Sequence, residues 1–397
     1  MAWEDAVPWK AKKPVDLRVE FVGRLQRGER MTDLCREYGV SRKTGHKLWN
    51  RYQELGPVGL ENQSRAPKWT WNRMAAETAE ALLAMRRKYP TWGPLKLKAS
   101  LERELGVKLP AASSIGNLLR KHDLSGRRGQ RRRHVVRPTG LQSVQAANEV
   151  WCADYKGQFR LGDSTYCYPL TITDQHSRYL LACEGMGAIS EEQAREVFQD
   201  VLREHGLPGA IRTDNGAPFA TTGLAGLSKL AVYWMLLGIK HERIRPAHPE
   251  ENGRHERMHR TLKAETTRPA RPNLLQQQET FDAFREIFNT KRPHEALDML
   301  RPADVFQPSL RLYPACLPEP SYPFHDDTIF VSRSGYLRIP GSGRFYLTTV
   351  LAGQPVGIRE GQDGSWLVSF LDLDLGHIER NASQTTFRPA SPALPNV

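Results

Sequence analysis

No stretch of this sequence is apolar for long enough to cross a bilayer; the longest, Leu230 to Ile239, falls far short of a span. The opening Met1-Ala-Trp-Glu-Asp lacks the form of a signal peptide, so a cytosolic location and no membrane partner are expected. Cysteine is scarce as well. The five cysteines, Cys35, Cys152, Cys167, Cys183 and Cys316, are odd in number, scattered and without C-x-x-C spacing. That excludes a disulfide framework and a zinc knuckle, and fits free, mostly buried thiols in a reducing compartment. Acidic residues are outnumbered, 44 against 57 Lys and Arg, and the resulting charge of +13 with a pI near 9.6 points to a polyanionic partner. At 397 residues the chain exceeds one ordinary domain, and an apolar share of 39% is enough for several cores, so three or four domains are expected.

What the sequence does hold is three carboxylates in three distinct settings between Trp151 and Lys263. Asp154 lies in Trp151-Cys-Ala-Asp-Tyr-Lys-Gly-Gln-Phe159, Asp214 in Ile211-Arg-Thr-Asp-Asn-Gly-Ala-Pro-Phe219, and Glu256 in Pro249-Glu-Glu-Asn-Gly-Arg-His-Glu-Arg257. Around the first, Val150 to Ala153 reads as a strand leading into an antiparallel hairpin with Gly162-Asp163 at its turn. Tyr179 to Cys183 supplies a third strand, and Glu191 to Glu204 has helical spacing. Pro208-Gly209 stops that helix, and Ala210 to Thr213 is a short strand delivering Asp214 into Asn215-Gly216, a pair suited to positive φ. The order is three strands, helix, strand, helix, strand, helix. It places the second acid at the C-terminal end of a strand after a crossover, where open sheets gather their sites.

Gly238 to Ile244 is the next strand; Pro246 and Pro249 break the chain, and Glu251 or Asn252 can cap a helix running from Arg254 to Lys263. On that helix Glu256, Arg260 and Lys263 share one face, while Met258 and Leu262 share another. One face therefore offers a carboxylate to a cation and two positive groups to the anion that cation holds, as a phosphodiester substrate requires.

These settings resemble the integrase core of DDE transposases, the bacterial insertion-sequence enzymes related to retroviral integrases. Asp-Asn-Gly followed by Pro-x-x-Asn-Gly-x-x-Glu-Arg is the most specific part, and the likeness covers roughly Asn148 to Phe306. The resemblance implies a ribonuclease H-like α/β core and metal-dependent DNA cutting and joining in the bacterial cytoplasm, at the nucleoid. Asp154, Asp214 and Glu256 are then the catalytic metal ligands. The gap between Asp214 and Glu256 is longer than the family's usual one, which Glu250 would fit. Glu256 is preferred because Thr221 to Gly226 reads as a loop insertion and Glu250, directly after Pro249, precedes the helix. Oxygen-only ligands favour Mg²⁺ or Mn²⁺ over zinc, and two such ions roughly 3.5–4 Å apart can serve both the attacking and the leaving oxygen. Water would nick the DNA end, and the freed 3′-hydroxyl would attack a new strand. The implied partners are double-stranded DNA, as terminal inverted repeats and as target, and further copies of the chain in a homo-oligomer on that DNA.

Two rival readings use the same residues. His255-Glu256-Arg257-Met258-His259 matches the H-E-x-x-H pattern of zinc metalloproteases, but no third ligand stands out near the helix, His294 being the next histidine onward. A DNA-binding regulator with an inactive integrase-like fold is the other; intact acids at all three settings argue against it.

The flanks add helical and strand-rich parts. Val15 to Arg27, Met31 to Ser41 and Arg42 to Leu55 form a helix-turn-helix unit whose third helix exposes Arg42, Lys43, Lys47 and Arg51 for phosphates and base edges. A second such unit spans Ala75 to Lys88, Pro94 to Leu105 and Ala111 to Lys121; with fewer exposed bases it serves equally well as a spacer. A charge run from Gly126 to His134, containing Arg131, Arg132 and Arg133, is a tether that can also track a phosphate backbone. Beyond the core, Pro308 to Pro323 is extended, and about five short strands between Asp327 and Arg380 make a small β-barrel. The expected architecture is multidomain: all-α helix-turn-helix units at 1–62 and 73–125, a basic linker at 126–146, an integrase-like α/β core at 147–310, a β-barrel at 326–380 and a disordered tail at 381–397.

Overall fold

The computed structural model describes residues 13–62, 74–125, 144–245, 253–339, 343–361, 364–380 and 385–390. They belong to two compact units, Met1–Arg73 and Met74–Val397. In the first, helices α1 (Pro14–Gln26), α2 (Met31–Glu37) and α3 (Arg42–Leu55) close over Phe21, Val22, Leu34, Cys35 and Leu60. Ser41 starts α3 by accepting the Thr44 N–H on its hydroxyl at 3.2 Å, which satisfies one of the free donors at that end. Gly45 is where α3 crosses its neighbours: an added Cβ would stand 2.6 Å from Cys35 Sγ and 2.8 Å from Met31 Sδ. Arg42, Lys43 and Lys47 are exposed along α3, whereas Arg51 is half-buried and donates to the Glu61 carbonyl at 3.0 Å.

The second unit begins with α4 (Ala76–Lys88), α5 (Pro94–Leu105) and α6 (Ala112–Lys121). Pro94 opens α5, and Gly106, at φ 67, ends it in the left-handed conformation. Leu82, Trp92, Leu97, Leu101, Ile115 and Leu119 form the core of this group. It is docked on the catalytic part of the chain rather than strung out from it. Ile287 packs against that core, and Arg103 donates to Asp304 at 2.9 Å.

The central sheet is built from β1 (Val150–Tyr155), β2 (Phe159–Arg160), β3 (Tyr166–Asp174) and β4 (Leu180–Met186), then α7 (Glu191–His205), β5 (Ala210–Thr213), α8 (Lys229–Leu236) and β6 (Lys240–Arg243). Helices α9 (Gly253–Thr266), α10 (Leu274–Thr290) and α11 (Pro302–Val305) follow. The strand order is β2-β3-β1-β5-β6, with β4 on the other edge of β3. β1 runs antiparallel to β3 and parallel to β5, and β5 is parallel to β6. Alternation sorts the side chains by face. Trp151, Ala153, Leu170 and Ile172 pack toward α7 and α8 with Phe198 and Trp234, while Cys167, Leu180 and Cys183 pack against Met258, Leu262, Phe281 and Phe288 of α9 and α10.

The longest apolar stretch of the sequence is α8 and the turn after it, and its composition follows from burial on both sides. Leu230, Tyr233, Trp234 and Leu237 belong to the core of the central sheet. Leu227, Ala231, Val232 and Leu236 belong to a second cluster, with Leu337, Val356, Ile358, Val368 and Phe370 of the C-terminal part. That part contains β7 (Asp327–Phe330), β8 (Tyr336–Ile339), β9 (Gly343–Tyr346), β10 (Pro355–Glu360), β11 (Trp366–Phe370), β12 (Leu373–Arg380) and β13 (Thr385–Pro389).

Two expectations are corrected here. The strands form an open five-stranded sheet, β13-β12-β11-β10-β7, and a separate β8-β9 ribbon. The ribbon lies beside both outer strands, β8 along β7 and β9 along β13, but no ladder closes the ring among the described residues. The stretch expected to be a disordered tail contributes β13, which pairs antiparallel with β12 from Gly376↔Pro389 to Arg380↔Thr385. Phe387 reaches the shared core, which accounts for the extra strand.

Candidate active site

β1 is buried from Val150 to Ala153, and Asp154 follows on the face toward α9. The parallel register pairs Cys152 with Arg212, so continuing each strand by two residues brings Asp154 beside Asp214. Both acids line one cavity of about 240 Å³, with Tyr155, Lys156, Tyr168 and Phe219 around it. The turn holding Asp214 is fixed at two points. Gly216 donates its N–H to Asp214 Oδ1 at 3.1 Å, and Asn215 donates to the Ile244 carbonyl at 2.7 Å, tying the turn to the end of β6.

Glu256 sits exposed in the first turn of α9, its face continuing through Arg260 and Lys263, which are also exposed. The electrostatics show how the three acids relate. Burial, then the Asp214 carboxylate, and to a smaller extent Glu256, push the Asp154 carboxyl up from 3.8 to about 7, with Lys156 opposing. A cluster of carboxylates that repel one another in this way lacks positive charge, and their oxygens are hard donors suited to a divalent cation. The donor set therefore fits the expected metal. Glu250, the alternative third acid, lies outside the described residues, as do Arg131, Arg132 and Arg133.

Behind Asp154, a buried polar network ties β3 to α9. The Thr171 hydroxyl lies 2.7 Å from His255 Nε2 and 2.7 Å from His259 Nε2, and 3.1 Å from the Asp154 carbonyl. Thr173 Oγ1 is 2.8 Å from His255 Nδ1, and His259 Nδ1 is 3.7 Å from Asp154 Oδ2. Burial pushes the His255 imidazole down to about 3; burial, then His255 and Lys156, push His259 down to about 2. Both rings are neutral across the physiological range.

The structure corrects the sequence reading of the H-E-x-x-H pattern. A third ligand-type group does stand near the two histidines, namely Asp154, with ligand atoms of all three within 4.8 Å of one another. Yet both ring nitrogens of His255 are already engaged by threonine hydroxyls, so that ring braces β3 against α9. The i, i+4 spacing was visible in the sequence, whereas the threonines, two residues apart on β3, needed the register to be found.

The part of the chain that carries this geometry also matches known families. Two models, each described as an integrase core domain, match residues 144–249 and 237–302. The chain contains an integrase core. Ahead of that integrase core, a helix-turn-helix domain model matches residues 17–68 and a homeodomain-like model matches 44–119. The resemblance to insertion-sequence transposases read from the motifs holds for whole proteins as well. A transposase for insertion sequence element IS904 from Lactococcus lactis is 25% identical over 48% of this chain and 78% of its own length. An uncharacterized 31.7 kDa protein of insertion element IS407 from Burkholderia multivorans is 26% identical over 59% of this chain and 80% of its own. Among solved structures, the HTLV-2 integrase catalytic core domain in complex with magnesium covers 40% of this chain and 97% of its own, at 14% identity and a TM-score of 0.32.

Proposed function

We propose that the protein is a DNA transposase that binds the ends of an insertion sequence, cuts there in a metal-dependent reaction and joins the freed strand to a target. The observation that carries this reading is the meeting of Asp154, Asp214 and Glu256, from three distant segments, in one neighbourhood of mutually repelling charge on an integrase core. The three acids hold the metal, Mg²⁺ or Mn²⁺, as a pair of ions. Bound there, the ions supply Lewis acidity to the attacking and the leaving oxygen of the phosphodiester. Asp154, whose ordinary state at neutral pH is part-protonated, releases its proton as it becomes a ligand. Thr171, His255 and His259 fix the spacing between the strand that bears Asp154 and the helix that bears Glu256. Arg260 and Lys263, exposed on that helix, contact the scissile strand's phosphates, and Arg42, Lys43, Lys47 and Arg51 engage the terminal inverted repeats. The protein works in the bacterial cytoplasm, on double-stranded end and target DNA, as a homo-oligomer assembled there. No described helix is long and apolar enough to cross a membrane.

The test is a strand-transfer assay with the element's own ends and Mn²⁺. Wild type is expected to join ends to target, and Asp154→Asn, Asp214→Asn and Glu256→Gln to bind the ends without joining them. Wild type that binds but never joins would instead be a DNA-binding regulator.

A further inference from the structure

A second cavity, of about 680 Å³, lies between the α4–α6 group and the core, and it is lined by Lys96, Arg178, Arg254, Arg257, Arg260 and Arg292 against two carboxylates, Asp174 and Glu295. The carboxylates do little to balance these cations. Asp174 is occupied elsewhere: its Oδ1 accepts from the Ser177 N–H at 2.7 Å and hydroxyl at 2.6 Å, and its Oδ2 from the Asn148 N–H at 2.8 Å. Glu295 is exposed. Arg292 is paired at 2.7 Å, with Glu265. Among the described residues, none of Lys96, Arg178, Arg254, Arg257 or Arg260 makes an ion pair. The mutual repulsion registers on the groups themselves. Burial, then Arg292, push the Lys96 ammonium down to about 8; burial, then Arg254, push Arg178 down to about 10. His294, on the same wall, keeps a buried Nε2 without a hydrogen-bond partner.

Cations gathered in a concave site, with an unmet polar atom and no partner carboxylates, are arranged for a multiply charged oxyanion. We propose that this cavity is a phosphate-binding site that takes the sugar-phosphate backbone of DNA, clamping a strand between the second helical group and helix α9. It differs from the Asp154 cavity in its residues and in its charge, and the two share only the helix. The naming of DNA as the source of the phosphate rests on the proposed function; the oxyanion site does not.

The experiment reads the acetylation of Lys96 in the full-length protein by mass spectrometry, without metal, so that no joining is needed. Asp154→Asn protein is run beside wild type. End-sequence duplex DNA is expected to protect Lys96 in both, while chloride at matched ionic strength does not. In a parallel titration, the Lys96→Gln/Arg257→Gln variant, checked for unchanged melting, is expected to bind DNA with a log K against log salt slope shallower by about 1 to 2. Protection by tripolyphosphate but not by DNA overturns the backbone assignment, and leaves a small phosphate as the ligand. Protection by neither overturns the site, whatever the strand-transfer assay shows.

Discussion

Asp154 should make the metal-free protein less stable as the pH rises. Its carboxyl is pushed from 3.8 to about 7 in the folded chain, first by burial and then by Asp214. The folded state thus holds this proton more tightly than the unfolded chain does. The group's contribution is fully present below the unfolded value and is lost as the pH climbs through about 7. At about 1.4 kcal/mol for each tenfold change in proton affinity, the loss amounts to roughly 4 kcal/mol by pH 8. The perturbation is Asp154→Asn, and the assay is thermal unfolding of both proteins in chelator at pH 5 and pH 8. The variant is expected to match wild type near pH 5 and to exceed it at pH 8, and Asp214→Asn to recover part of the same gain. Added Mg²⁺ should raise the melting temperature of wild type at pH 8 and leave Asp154→Asn nearly unmoved. If wild type and Asp154→Asn lose stability in parallel between the two pH values, Asp154 is ionised throughout and the crowded-carboxylate account of the site is wrong.

Other expected outcomes follow from contacts already described. Thr171→Val keeps the shape but strands His255 and His259 nitrogens in a buried place, at about 1–3 kcal/mol for each group left unmet, and Thr171→Ser should restore the stability measured by urea unfolding. Gly45→Val forces an added side chain against Cys35 and Met31, costing the first unit about 1–3 kcal/mol and loosening end binding in a gel-shift titration. Arg212→Met removes the 2.9 Å partner of the buried Glu242, and should cost about 3–5 kcal/mol in calorimetry, more than Glu242 and Arg212 replaced together by apolar residues.

Much of this was legible because local chemistry and tertiary demand agree. The turn glycines and prolines around α1 to α6, and the Ala-Ile-Arg-Thr strand before Asp214, carry their own punctuation. The setting of Asp154 was readable as the end of a hydrophobic strand. What could not be read was lateral. That Thr171 stands opposite Asp154 depends on the β1–β3 register, and that both acids share a cavity depends on β1 meeting β5. The basic cavity draws its cations from α5, the β3–β4 turn, α9 and the segment after α10, and no periodicity links these. Helix α10 begins well before the apolar residues from Phe281 onward that announce it, at Leu274 after the Asn273 cap, through a run of glutamines with little pattern. The C-terminal strands were visible one by one, while closure into a ring is a property of edges, and those edges meet only through the ribbon.

Helix α8 is walled on one side by the central sheet and on the other by the C-terminal strands. A gene copy that stops ahead of residue 327 would therefore yield a product with a greasy flank where Leu227, Ala231, Val232 and Leu236 lose their cover. Such a product is expected to clump or be degraded, even though the acids and the end-binding helices remain intact. Shortened versions of this protein would then make poor soluble rivals for the intact one, and loss of the last strands would silence a copy without interfering with its neighbours.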